Sequence, residues 1–323
     1  MLHRRTFLKH TTFAAAALPL TGLSACTETN KSTSVMNQQE KIPSLKISLA
    51  HWSLHREIES GVLDPVDFAR VAKERFQIEA VEYVNGFYQK DPTNEKFWLE
   101  MLRKSQEVGV KNLLIMVDEE GDLGQSNANK RQKAVENHYK WVNAAKILDC
   151  HSIRVNAFGD GERAALHDAL VDGIGQLCDY AAKENIDVLI ENHGLLSSDA
   201  SFIINVIQAA NRPNLGTLPD FGNWCLAKKW GSTQHNRCEE VYDRYRGVAE
   251  FLPYAKGYSA KSYAFDENGN ETIIDYRKML QMAKDGGYDG YIGIEFEGEN
   301  MEETTGIKAT KALIERVWKE IYK

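Results

Sequence analysis

Asp187-Val188-Leu189-Ile190-Glu191-Asn192-His193-Gly194 is an apolar run that stops abruptly at an acid, an amide and an imidazole. A buried strand that delivers polar groups at its C-terminal tip is how a parallel α/β barrel builds an active site, because the barrel interior is packed solid and only the strand ends face a cavity. Glu191 is therefore the first catalytic candidate. The plainer reading makes the same cluster an N-cap before the next helix.

Outward from this stretch, short β-rich runs alternate with amphipathic helical segments. The predicted strands are Leu45–Trp52, Glu79–Val84, Val110–Val117, Ser152–Ala157, Asp187–Glu191, Leu215–Asp220, Ala255–Lys261 and Tyr291–Phe296. Between them Pro65–Phe76 places Phe68, Val71, Ala72 and Phe76 at helical spacing, and Glu95–Val108 and Lys130–Leu148 are striped in the same way. Ala164–Glu184, Ser201–Ala210, Glu239–Leu252, Asp275–Asp285 and Thr305–Tyr322 complete the helices. Eight strand–helix pairs predict a single (β/α)8 TIM barrel over residues 45–323. No Gly-x-Gly-x-x-Gly follows the first strand, so an open dinucleotide-binding sheet is the weaker alternative. Asp118–Asn129 is the least regular stretch, either a cover over substrate or a solvated acidic loop.

The 323 residues are 43% hydrophobic and 26% charged, an ordinary globular balance. The formal charge is −7, and residues 1–25 hold three cations and no acid, so the remainder carries −10. An acidic surface repels phosphate backbones, which excludes nucleic acid as a natural partner.

The first 25 residues read as an export signal. His3-Arg4-Arg5-Thr6-Phe7-Leu8-Lys9 resembles a twin-arginine motif, Phe13–Leu20 is too short to span a bilayer, and Leu23-Ser24-Ala25-Cys26 resembles a lipobox. These motifs imply cleavage before Cys26, lipidation of its sulfur and a membrane-anchored protein in the cell envelope. Residues 26–44 then form a polar tether. Cys150 and Cys178 read as small core hydrophobes, and no pair has CxxC spacing. Free thiols are the favoured reading of Cys225 and Cys238 too, a loop closure in an oxidising compartment being the alternative.

The strand tips are polar almost throughout: His51 and Trp52, Glu82, Asp118, Arg154 and Asn156, Glu191 and His193, Asp220 and Asn223, Lys261, then Glu295 and Glu297. Such regularity points to one shared pocket. Glu191, Asp220 and Glu295 would repel one another there, and either a divalent ion or the Lys261 ammonium would relieve the repulsion. Glu297 shares a face with Glu295, which is the preferred member of the set.

The segments Ile190–Gly194, Pro219-Asp220-Phe221-Gly222-Asn223 and Gly287–Glu295 resemble the sugar-phosphate isomerase/epimerase group of the xylose isomerase-like barrels. The resemblance covers roughly Ile47 to the C-terminus. It implies a divalent metal, Mn²⁺ or Mg²⁺ by its oxygen ligands, held by Glu, Asp, His and Glu from strands 5 to 8. Glu191, Asp220 and Glu295 match three of these positions. The fourth reads Lys261, and no histidine follows His235.

The implied chemistry is movement of a proton next to a carbonyl through an enediolate, in an unphosphorylated sugar, keto-sugar or cyclitol. The metal or Lys261 would steady the oxyanion, Glu191 and Glu295 would exchange the proton, and His193 is a deputy base. His51, Glu82, Arg154 and Asn223 are substrate-binding candidates, with Trp52 stacking on a sugar face. A structural Arg154–Glu82 pair is the alternative for that arginine. The competing functions are a 3-keto-glycoside lyase that eliminates the aglycone and a non-catalytic sugar-binding lipoprotein.

Overall fold

A computed structural model describes residues 43–234 and 237–323. The signal segment 1–25, Cys26 and all but the end of the tether lie outside the described residues.

Eight parallel strands run in chain order as β1 (Ile47–Ala50), β2 (Ala80–Val84), β3 (Lys111–Met116), β4 (Ser152–Asn156), β5 (Asp187–Glu191), β6 (Leu215–Leu218), β7 (Ser259–Ser262) and β8 (Ile292–Phe296). Nine α-helices are described: α1 (His55–Glu59), α2 (Phe68–Phe76), α3 (Glu95–Glu107), α4 (Ala128–Ile147), α5 (Arg163–Ala181), α6 (Ala200–Ala210), α7 (Arg244–Phe251), α8 (Tyr276–Asp285) and α9 (Glu303–Ile321). The strands lie in the order β6-β5-β4-β3-β2-β1-β8-β7. The circle closes through isolated parallel bridges, Thr217 with Ala255 and Asp220 with Ser259. This is the (β/α)8 barrel expected from the alternation of elements.

Helix starts follow from short polar side chains. Asp64, Asn94, Asn127, Asp199, Asp243 and Asp275 each accept a hydrogen bond from a backbone N–H in the first turn of the helix that follows. Helix α2 ends at Gln77 and α6 at Asn211, both left-handed, and Gly287 makes the turn into β8 at φ 69°.

Side chains alternate along each strand, and the two faces pack into separate cores. The outer faces, with residues such as Val81, Ile115, Ile153, Val188 and Ile294, meet the helices in one large apolar layer. The inner core is small: Ala50, Val84, Leu114, Met116, Leu189 and Leu218. The remaining inward positions are mostly polar or glycine, and this imbalance places the chemistry inside the barrel.

Three departures from the predicted boundaries bear on the site. β1 stops at Ala50 and the chain turns into a 3₁₀ segment at His51–Leu54, β6 stops at Leu218, and β7 begins four residues later than expected. Cys225 and Cys238 are joined by a disulfide with 5.7 Å between Cα atoms, which corrects the preference for free thiols. Asp118–Asn129 is more than a solvated acidic loop: Glu120 within it is buried, accepting from Trp141 Nε1 at 2.7 Å.

Candidate active site

Glu191 at the end of β5, Asp220 just past β6 and Glu295 in β8 converge, each presenting a carboxylate oxygen within 4.8 Å of the others. All three are buried. Asp220 is held by backbone and side chain together. Its Oδ1 accepts from Gly222 N at 2.7 Å and Asn223 N at 2.8 Å, while its Oδ2 accepts from Ser259 Oγ at 2.7 Å. The same Ser259 hydroxyl lies 2.9 Å from Glu295 Oε2.

Lys261 enters from β7 and is 1% exposed. Its Nζ lies 2.8 Å from Glu297 Oε1, 3.0 Å from Glu295 Oε2 and 3.9 Å from Asp220 Oδ2. Burial alone would lower its pKa, but Glu295, Glu297 and Asp220 outweigh burial and lift it well above the usual lysine value. The side chain is an ammonium at neutral pH.

Arg154 is the second buried cation. Its Nη1 donates to Asp118 Oδ1 at 2.6 Å, and its Nε approaches Glu191 Oε2 to 2.7 Å. That second contact is an ion pair whose N–H is angled away from the oxygen, so neither atom has a well-formed hydrogen bond. Arg154 is therefore paired with Asp118 and Glu191 rather than with Glu82. Asn156 links this pair to His193, donating to Asp118 Oδ1 at 2.6 Å while its own Oδ1 lies 2.7 Å from His193 Nδ1.

The electrostatics separate the groups. Burial raises Glu191 well above an ordinary carboxyl, with Glu295 and Asp220 adding to the effect and Arg154 opposing it. Burial likewise lifts Asp220 to about 6, against the pull of Lys261. Asp118 goes the other way: burial would raise it, but Arg154 and His193 hold it at about 2. His193 falls to about 3, chiefly through burial and then through Arg154, so it is neutral and a weak base near pH 7.

Several candidates are placed elsewhere. His51 leaves the strand in the 3₁₀ turn and lies outside the barrel wall, stacked on Phe68 at 4.0 Å and edge-on to Phe87 at 4.7 Å. Fully buried against Phe68, Tyr83 and Tyr88, with its pKa lowered to about 3 by burial, it belongs to the outer core and does not join the converging acids. Glu82 points into the barrel but turns below the site, accepting from Ser48 Oγ at 2.6 Å and lying over Gly293. Burial raises it to about 7. Trp52 does reach the mouth, stacked on His55 at 4.7 Å beside a cavity of about 410 Å³ that also touches Glu297. Asn223 is at the site, its Nδ2 3.4 Å from Glu191 Oε1 and its Oδ1 buried with no donor. A larger concavity of about 700 Å³ opens at the opposite end, near Pro43 and Trp318, and the converging side chains do not line it.

Asp118 and Asn156, both polar strand tips in the sequence, and Ser259, which is not one of them, complete the polar network. Trp230 and Phe158 carry no such signal in the sequence: Trp230, 39% exposed, packs edge-on to His193 at 5.0 Å, and Phe158 lies against both rings, 5.7 Å from Trp230 and 6.4 Å from His193. The loop that carries Trp230 is the one closed by the disulfide.

The three converging carboxylates offer lone pairs for three corners of an oxygen-rich divalent site. The fourth corner, on β7, does not fit, because the ammonium of Lys261 has no lone pair and carries like charge. Among the described residues no histidine joins the three acids.

Residues 70–317 match the family of xylose isomerase-like TIM barrels, and the chain belongs to that family. It is 25% identical over 221 residues to a putative hydroxypyruvate isomerase of Mus musculus, covering 61% of this chain and 75% of that one. Among solved structures it is similar to an L-ribulose 3-epimerase (TM-score 0.64, 12% identity, 86% of this chain and 96% of that chain). It is also similar to a 3-keto-D-glucoside 4-epimerase from E. coli (TM-score 0.61, 13% identity, 84% and 100% covered). At these identities the structures speak for the fold.

Proposed function

We propose that this protein is a carbohydrate isomerase or epimerase that moves a proton next to a carbonyl through an enediolate, acting on an unphosphorylated sugar, keto-sugar or cyclitol. The observation that carries the reading is the convergence of three buried carboxylates, Glu191, Asp220 and Glu295, with the Lys261 ammonium inside the barrel. Asn223, whose Nδ2 lies 3.4 Å from Glu191 Oε1, is placed to hydrogen-bond a substrate hydroxyl beside these acids. The epimerases and the isomerase named above support the same class of chemistry.

In this reading one carboxylate takes the proton from carbon while the C–H electron pair moves into the carbonyl, leaving an enediolate oxyanion. The other, protonated, returns a proton to the neighbouring carbon or to the opposite face. Glu191, whose burial favours the neutral form, is the donor, and Glu295 is its partner. The oxyanion needs a fixed positive charge. Lys261 supplies one, its Nζ 3.0 Å from Glu295 Oε2, whereas a divalent ion would have to take Glu191, Asp220 and Glu295 as ligands beside that ammonium. Arg154 orients Glu191, and Trp52 and Trp230 offer apolar faces to a sugar ring.

Incubation with candidate keto-sugars in deuterated water tests the reading. Deuterium at one carbon without aglycone release from a 3-keto-glycoside supports it, aglycone release favours the lyase, and tight sugar binding with no exchange removes catalysis altogether.

We also propose that the protein is exported and lipid-anchored at Cys26. The motif around Arg4 and Arg5 and the Cys225–Cys238 disulfide, which suits an oxidising compartment, support this. Palmitate labelling that survives Cys26→Ala would overturn it.

A further inference from the structure

The carboxylates of this site need positive charge, and the chain provides it without help. We propose that Lys261 is the resident cation, its ammonium occupying the space between Asp220, Glu295 and Glu297 and keeping a divalent ion out. The inference deepens the isomerase/epimerase reading and rests on it only for what the cation does.

Three features of the geometry converge on this assignment. The first is that Asp220 and Glu295 are already engaged. Asp220 spends one oxygen on two backbone N–H groups and the other on Ser259, and Glu295 Oε2 faces both Ser259 and the ammonium. An ion bonded to Asp220 Oδ2 and Glu295 Oε2 would compete with Ser259 and with the ammonium for those oxygens.

The second is that the Lys261 side chain is held at its root. A Cβ on Gly222 would come within 2.8 Å of Lys261 Cγ, so the lysine stem fills the space that this glycine leaves open. The backbone carbonyl of Lys261 accepts from Tyr276 Oη at 2.9 Å, which fixes the root of the side chain.

The third is charge. Lys261 Nζ is 3.0 Å from one of the acids a metal would need. With an effective dielectric of about 20, a dication about 5 Å from an ammonium would lose more than about a thousandfold in affinity to repulsion alone. An ammonium 1% exposed and aimed at the pocket supplies instead N–H donors for a developing oxyanion.

The test is a Mn²⁺ titration of the purified, chelator-treated full chain, followed by the electron paramagnetic resonance signal of free Mn²⁺, for wild type and Lys261→His. Wild type is expected to leave Mn²⁺ free, whereas Lys261→His gains one ion per chain at least about a hundredfold more tightly. One equivalent bound to wild type at micromolar affinity overturns the proposal, and that measurement decides even if the variant does not fold. Solvent deuterium exchange run in chelator separates the two claims. Exchange that persists supports both; exchange lost in chelator and restored by Mn²⁺ overturns the resident cation and leaves the isomerase reading standing. An absence of exchange in wild type that also binds no Mn²⁺ removes the isomerase reading and leaves the resident cation.

Discussion

Replacing Glu191 by glutamine is expected to make the protein more stable and less active at once. The side chain keeps its size and loses its charge. Asp220 and Glu295 each present an oxygen within 4.8 Å of it, a repulsion of about 3 kcal/mol per pair at an effective dielectric of about 20. Arg154 at 2.7 Å returns about 6 kcal/mol on the same scale, so the pairwise contributions nearly cancel. What remains is the cost of holding a carboxylate away from water, which is several kcal/mol for a buried ion. Glu191→Gln removes that cost, and Arg154 keeps Asp118 at 2.6 Å, so a gain of about 1–3 kcal/mol is expected. The pH dependence carries the sign. Because Glu191 is raised in the fold, its contribution is present below the unfolded carboxyl value and is lost as pH rises. The variant's advantage should therefore be largest near pH 8 and vanish below about pH 4.5. Urea denaturation across that range measures it, and deuterium exchange should fall by at least about a hundredfold. A variant less stable than wild type at pH 8, or one that still exchanges at the wild-type rate, would refute the assignment.

The disulfide, the outer-core histidine and the lysine groove give further expectations. Cys225→Ser with Cys238→Ser opens a loop whose ends are 13 residues apart, so about 3 kcal/mol of stability should go, and KM for the keto-sugar should rise as Trp230 loosens; an unchanged Tm by calorimetry would count against this. His51 is lowered to about 3 by burial, so its contribution is complete above the unfolded value and is lost as pH falls, by about 2 kcal/mol at pH 5. His51→Phe should recover about that much at pH 5 relative to pH 8 in denaturant titrations, and an equal effect at both pH values would show that the ring is not buried neutral. Gly222→Ala would push a methyl to 2.6 Å from Tyr263 Oη and 2.8 Å from Lys261 Cγ. Folding with a loss of about 1–3 kcal/mol and a more than tenfold drop in exchange is the expected outcome, and wild-type activity would show that the lysine stem is free to move.

The fold was legible because its rule is repetitive. Short β-rich runs alternating with helical stripes mark the strands, even β7 with its Ser-Ala-Lys-Ser, and the polar tips point to one end of one barrel. What the sequence hid depends on where a strand stops. His51 looked like a tip residue because the pattern continues through it, yet the chain turns at Ala50 and sends the ring outward. Glu82 has the right parity but lies two residues short of the end of β2, so its carboxylate reaches Ser48 and Gly293 instead. Ser259 was passed over because serine is unremarkable in composition, and only its register beside Asp220 makes it a bridge. Trp230 and Phe158 come from loops, whose paths carry no periodic signal. Cysteine spacing likewise says nothing about Cα separation, which is what decided the Cys225–Cys238 bond.

The seam between β6 and β7 is where fold and site share atoms. Neighbouring strands elsewhere in the sheet are joined by ladders, but this pair meets only at Thr217 with Ala255 and at Asp220 with Ser259. A seam that ends in converging carboxylates should splay, since nothing along it but those bridges opposes the repulsion. Ser259 counters this from two directions: its N–H donates to Pro219 O at 3.0 Å and its hydroxyl to Asp220 Oδ2 at 2.7 Å. Lys261, one inward position further along β7, then draws in Glu295 from the neighbouring strand. The contacts that close the barrel are thus the contacts that set the spacing of Asp220 and Glu295. A site positioned by strand register and short side chains loses little freedom when substrate arrives, which is the condition under which fixed charges stabilise an oxyanion most.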